Sequence, residues 1–343
     1  MLLCDADDAN YQKAAVIFAG WRSEGVLAPD DRARFYLYEM DYHDSEGTLH
    51  TARGVMGALE LVELGDRVVG HEETMDKHRA DRLAVLDATE ANLDPIIALS
   101  SSPDLLPLLT APWPPRLDFE AGGVRHRLFD ISDDEQIAEI SRVVNDHAVA
   151  IADGHHRYLT ALGYRQTRSR DGDAGPWDHI MAMMAPAEGS GLTVGPYHRI
   201  LPEAPHDLER LETAFEVLPA VADAPHHAGE LVIATSEAAH LLRPRPEAIR
   251  DLPAPYRQAS AAIASEVLYP LLGITVDDVD YVSDVAGAMA AATGGRAALL
   301  VAPVSEHAIA EAGEVGLRFP RKTTFFVPKP RAGLVIRSFN PGG

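Results

Sequence analysis

A chain of 343 residues, 46% hydrophobic and 24% charged, has ordinary globular composition and enough length for a large core, expected as two lobes. Its 30 Lys and Arg against 52 Asp and Glu give a formal charge of -22, which repels polyanions at long range and disfavours DNA as a partner. It has no run of eighteen or more apolar residues, no basic-then-apolar leader and no lipidation signal, and one cysteine, Cys4; membrane insertion, export and cysteine-based zinc or redox sites are not expected, and a cytoplasmic home is.

In chain order, "YQKAAVIFAGWRSEGVL" predicts a helix ending near Gly25, and "RFYLYEMDYHD" with "RGVMGALELVEL" predicts a hairpin around "SEGT". A helix is expected from about Thr74, its first half nearly all charged. "DPIIALSS" reads as a strand, "LDFEAGGVRHRLFDI" as a hairpin turning at Gly122 and Gly123, and "DDEQIAEISRVVND" as a helix with acids in its first turn. "HAVAIAD" is then a short buried strand and "HHRYLTALGYRQTR" the helix after it.

Strands are expected at "WDHIMAMMA" and "GLTVGPYHRIL", a helix at "HDLERLETAFEV", strands at "ELVIATS" and "AAHLLR", and a helix at "YRQASAAIASEVLYPLL". A strand at "YVS", a helix at "VAGAMAAAT" and strands at "RAALLVAPV" and "FPRKTTFFVPKP" complete the pattern. The elements mix without strict alternation, so the expected class is α+β with mixed sheets and flanking helices, with lobes at 1–200 and 201–343.

Between strand and helix stands "ADGHHR". Gly154 permits a sharp turn or close backbone approach, and the first helical turn beyond it favours anions. Arg157 supplies a forked donor for phosphate or carboxylate, His155 and His156 donate or ligate, and Asp153 suits Mg²⁺ or a substrate hydroxyl. The bland alternative has Asp153 capping the helix, which accounts for the acid but not for His-His-Arg.

"HEETMDKHRADR" packs two histidines, four acids, a lysine and two arginines into twelve residues, which ordinarily marks a solvated helix start. Glu72 at the loop-to-helix junction is nonetheless a candidate base or metal ligand. Lysine occurs only at Lys13, Lys77, Lys322 and Lys329, so His71, Lys77, Arg79 and Arg82 join the candidates for substrate contact. In "FPRKTTFFVPKP", Lys322, Thr323 and Thr324 are candidates to close over an anion, with Lys329 behind them; a plain strand with charged ends is the alternative. "PYHRI" adds His198 and Arg199, more easily read as structural. A zinc site from His71, His155, His156 and His198 is a weaker alternative, and no Walker A, His-Glu-x-x-His or Gly-x-Ser-x-Gly motif occurs.

"RGVMGALEL", "GHEETMDKHRADRL", "IADGHHRYLTALGYR", "PYHRI" and "FPRKTTFFVPKPRAGLV" together resemble, in order, the blocks of the uncharacterised family called domain of unknown function 1015. Members of that family usually begin with a further segment, so the resemblance implies a shortened chain. Residues 151 to 162 are also similar to the phosphate-binding turn of ParB-like and sulfiredoxin-like folds, free serine kinases among them. That likeness implies Asp153 as a metal or hydroxyl ligand, Gly154 to Arg157 as a phosphate cradle, and Mg²⁺ with ATP, ADP or another nucleotide as cofactor. Glu72 is the base chosen by chemistry. The expectation is a phosphotransferase acting on a small hydroxylated metabolite, such as free serine. A nucleotide-switched binding module without turnover, or a shortened inactive copy, is the alternative; a protein partner stays open.

Overall fold

Ala14 and Phe18, four apart and both buried, turn one stripe of helix α1 (Tyr11–Ser23) inward. Strands β1 (Phe35–His43) and β2 (Leu49–Glu60) then form the expected antiparallel hairpin, in register from Tyr36 opposite Met56 to His43 opposite Leu49. The computed structural model describes residues 11–44, 47–65, 67–70, 72, 76–168, 174–205, 207–225, 227–305, 308–309, 311–312 and 316–340, with the backbone alone at 76–79.

The chain forms two units: one of residues 1–70, 74–192 and 328–343, the other of residues 71–73 and 193–327. The lobes expected at 1–200 and 201–343 are drawn differently, since 193–200 go with the second unit and 328–343 with the first.

In the first unit follow β3 (Val68–Gly70), α2 (Asp76–Thr89), β4 (Ala91–Asn92), β5 (Ile96–Ser100), α3 (Leu105–Leu108), β6 (Leu117–Ala121), β7 (Val124–Ile131), α4 (Asp134–Asn145), β8 (Val149–Asp153), α5 (His155–Arg168) and β9 (His179–Pro186). Eight of these strands make one sheet in the order β3-β8-β5-β9-β2-β1-β7-β6. It is mixed: β3 runs parallel to β8 and β5 parallel to β9, whereas β5 and β8 are antiparallel. Asp133 caps α4 as the acid-rich start of that segment predicts, its carboxylate accepting from the Gln136 N–H at 2.8 Å. Sheet residues Val55, Ile96, Val149, Ile151 and Ala182 share a core with Ile140 and Val143 of α4 and Tyr158, Ala161 and Leu162 of α5.

In the second unit, "GLTVGPYHRIL" is not one strand. It divides at Pro196 into β10 (Thr193–Gly195) and β11 (His198–Leu201), which join different sheets, because proline has no N–H to give a ladder. The helix expected over 206–217 is short, α6 (Leu208–Glu212); "FEVLP" is β12 (Phe215–Pro219), with Phe215 buried and Glu216 exposed, as a strand's period requires. Strands β13 (Leu231–Ala234), β14 (Ala239–Pro244), β15 (Asp280–Val282) and β16 (Ala297–Val301) complete a six-stranded sheet, β12-β14-β13-β16-β11-β15. Leu231 and Ile233 face one core and Val232 the other, and Leu299 and Val301 alternate likewise with Ala298 and Leu300. The helix expected at 256–272 is broken into Ala254–Arg257, Ser260–Ile263 and Tyr269–Leu272 around a π-turn at Ala264–Leu268, with Pro270 withholding a helical N–H.

The last strand of this unit, β17 (Phe325–Val327), pairs with β10 and is shorter than the strand expected over "FPRKTTFFVPKP". Lys322 adopts φ 58°, a left-handed conformation that ends extended pairing before it. In the first unit, β18 (Arg337–Ser338) pairs with β4. The fold is α+β, as expected. Among the described residues no helix is long and apolar enough to cross a membrane.

Candidate functional site

Asp153 closes β8, a strand flanked on both sides within the sheet, and α5 begins two residues later. Gly154 between them has φ +100°, and a Cβ there would stand 2.6 Å from Ile96 Cγ2. Only glycine fits, on both backbone and packing grounds. The Tyr158 N–H donates to Gly154 O at 2.9 Å, so helical bonding starts at the turn itself and its positive end lies there.

The Asp153 carboxylate does more than cap a helix. One oxygen, Oδ2, accepts from Arg157 Nη2 at 2.6 Å, and the other, Oδ1, accepts from Lys329 Nζ. Arg157 Nη1 donates in addition to Asp94 and to the Pro95 carbonyl. Two carboxylates, Asp94 and Asp153, thus meet on one guanidinium. His155 is buried with its ring against Gly70, where a Cβ would lie 3.4 Å from Cδ2, so it packs beneath β3. His156 is half-buried beside it.

A cavity of about 60 Å³ opens beside Arg157, lined by Arg82, Asp94 and Thr160 among others. The Thr160 hydroxyl is buried and makes no hydrogen bond among the described residues. The first unit therefore brings together Asp153, Gly154, His155, His156, Arg157, Arg82 and Lys329, and adds Asp94 and Thr160, which the motifs did not single out. The signal for Asp94 was weak: an acid before a proline at a strand start. Lys77 and Arg79 lie on α2 with side chains outside the described residues, and His71 is outside them altogether.

The other candidates belong to the second unit. Glu72 Oε1 accepts both from the Thr324 N–H and from its hydroxyl, each at 2.7 Å. Thr323 is buried and donates its hydroxyl to Pro320 O at 2.6 Å. Arg199 is 1% exposed; it donates to Tyr197 O and to Lys322 O, the latter at 3.2 Å, and lies 5.7 Å from the Tyr281 ring centre. Lys322 Nζ sits 4.7 Å over the Tyr197 ring. His198 is buried, its Nδ1 accepting from the Val301 N–H at 3.3 Å, and desolvation pushes its pKa down to about 4, so it is neutral at pH 7. Among the described residues no group of three or more His, Cys, Asp or Glu is placed to hold a metal; His71, one of the four histidines of the zinc alternative, lies outside them.

Residues 3–267 match the model of the family described as protein of unknown function (DUF1015), and the chain belongs to that family. The block "FPRKTTFFVPKPRAGLV" lies beyond the matched residues. No curated protein matches the chain. Among solved structures, SbnI with C-terminal truncation from Staphylococcus aureus is 11% identical with a TM-score of 0.46, covering 82% of this chain and 87% of that one. A free serine kinase in complex with AMP is 14% identical with a TM-score of 0.41, covering 79% and 87%. A conserved hypothetical protein from Pyrococcus furiosus is 15% identical with a TM-score of 0.41, covering 81% and 92%.

Proposed function

We propose that the first unit binds the phosphates of a nucleotide, ATP or ADP with Mg²⁺, at the Asp153–Arg157 turn and transfers a phosphoryl group to a small hydroxylated metabolite. The observation that carries this reading is the pairing of Arg157 and Lys329 with the one carboxylate of Asp153 at a glycine-hinged helix start. Two cations, a turn that only glycine can make and a helix N-terminus are the parts a phosphate needs.

Asp94 and Asp153 suit Mg²⁺, a hard cation that takes one or two protein carboxylates beside substrate phosphates. When bound, Mg²⁺ would offset the phosphate charge. Arg157 and Lys329 then hold phosphate oxygens, and Gly154 sets the turn that brings Asp153 to them. Asp153 orients the acceptor hydroxyl, whose oxygen attacks phosphorus as the bond to the departing nucleotide oxygen breaks; the hydroxyl proton passes to a carboxylate. His155, buried against Gly70, holds the turn in place.

The test is thermal stabilisation by ATP, ADP, CTP, GTP, pyrophosphate and AMP, each with and without Mg²⁺, on the wild type and on Arg157→Ala. At a hundred times Kd, linkage gives about 2.7 kcal/mol of stabilisation. A Mg²⁺-dependent shift lost in Arg157→Ala is expected. No shift with any ligand, or one that Arg157→Ala leaves intact, overturns the reading.

A further inference from the structure

A second cavity, of about 240 Å³, lies in the first unit between its sheet and α4. It is larger than the roughly 150 Å³ engineered apolar cavity that holds benzene elsewhere. Val149 at the start of β8 lines it, whereas the phosphate turn follows Asp153 at that strand's other end, roughly 13 Å away at 3.3 Å per residue. None of the sequence motifs points to it.

The walls are mainly apolar, with Ser141, Asn145, His147 and His179 also among the lining residues. Val55, Leu59 and Met184 come from the sheet, and Ile140 and Val144, four apart, from one face of α4. Gly57 shapes the floor: a Cβ there would stand 2.8 Å from the Phe35 ring, so the absent side chain leaves Phe35 room to lie along the wall.

The lining includes one acid, Glu60, and one arginine, Arg67, both exposed, beside His147 and His179. No ion pair joins them among the described residues. The Glu60 side chain makes no hydrogen bond there either, and Arg67 Nη2 reaches only Asn145, at 3.4 Å to its carbonyl and 3.3 Å to Oδ1. An exposed arginine on two long bonds rearranges at little cost, and an exposed carboxylate that makes no side-chain hydrogen bond among the described residues can take up donors.

The geometry points to a binding site for a small zwitterion with an apolar tail, the chemistry of a free α-amino acid with a branched or aromatic side chain. The carboxylate meets Arg67, the ammonium meets Glu60, and the side chain fills the space between Met184 and Val144. This site stands apart from the proposed phosphate chemistry and does not depend on it.

Calorimetric titration of the whole protein with L-leucine, L-phenylalanine, 4-methylpentanoate, 3-methylbutylamine and L-serine tests it. The two apolar amino acids are expected to bind at least tenfold more tightly than the acid, the amine or serine. Arg67→Ala and Glu60→Ala, both at exposed positions, should each weaken that binding tenfold or more, and Val144→Trp, which fills the cavity, should abolish it with Tm retained. Absence of binding by both amino acids overturns the inference. So does equal binding of the acid or the amine, or binding that survives both rim substitutions.

Discussion

Lys329 donates to the carboxylate of Asp153 across 176 positions of sequence, and Arg157 holds the same carboxylate from the next turn of its own chain segment. Both Asp153 and Lys329 are partly exposed, so the pair contributes about 1 kcal/mol or less to stability. Lys329→Met is therefore expected to leave the denaturation midpoint nearly unchanged while weakening Mg²⁺-nucleotide affinity about tenfold, the scale of one charged contact worth about 1.4 kcal/mol. Parallel denaturation and titration separate the two effects; equal affinity in both proteins would remove Lys329 from the site.

Arg157→Lys should behave almost as badly as Arg157→Ala. A single ammonium lacks the planar fork that reaches Asp94 with one nitrogen and Asp153 with the other. Retained nucleotide binding by Arg157→Lys would mean that charge alone matters at the turn.

Gly154→Ala meets both a φ of +100° and the Ile96 side chain. A destabilisation of about 2–4 kcal/mol is expected from strain and overpacking together, measurable by urea denaturation. Adding Ile96→Ala should relieve the clash, not the backbone strain, so only partial recovery is expected. An unaffected Gly154→Ala would show that the turn can rearrange.

Glu72→Ala removes the carboxylate oxygen that accepts from the Thr324 N–H and hydroxyl, at a cost of about 1–3 kcal/mol. Glu72→Gln keeps an acceptor oxygen and should lose less than half as much. If Glu72 serves as a base, Glu72→Gln instead abolishes turnover while remaining nearly as stable as wild type. Stability and rate measured on the same sample distinguish anchor from base.

His198 makes stability depend on pH. Its folded pKa of about 4 lies below the ordinary value of 6.5, so between those limits the unfolded chain binds more protons than the folded one. Stability is full above pH 6.5 and falls as the pH drops towards 4, by up to about 3 kcal/mol in total. His198→Gln, which keeps an acceptor for the Val301 N–H, is expected to be flatter over that window in denaturation curves taken from pH 7 to pH 4.5.

The turn was legible because its signals are local: an apolar run, a glycine and a resumed helical period fall within a dozen residues. What surrounds it was not. Asp94 acquires its part only through Arg157, 63 positions later, and Thr324 only through Glu72, 252 positions earlier. "AFEV" reads as the end of a helix because "LERLE" before it is helical, and sheet pairing with β14 decides otherwise. Lys322 looks like a strand residue by composition, yet its left-handed φ lets its carbonyl accept from the buried Arg199, a preference no neighbouring residue announces.

The first unit's path leaves at Leu192 and resumes at Pro328. During synthesis, then, Lys329 and the β18 segment emerge only after the entire second unit has been translated. Until that moment Asp153 lacks its contact with Lys329, and Ala91 and Asn92 have no β18 to pair with. A ribosome pausing anywhere between those points carries a nascent sheet whose Asp153 turn is unfinished, so completion of the turn waits on the segment that begins at Pro328.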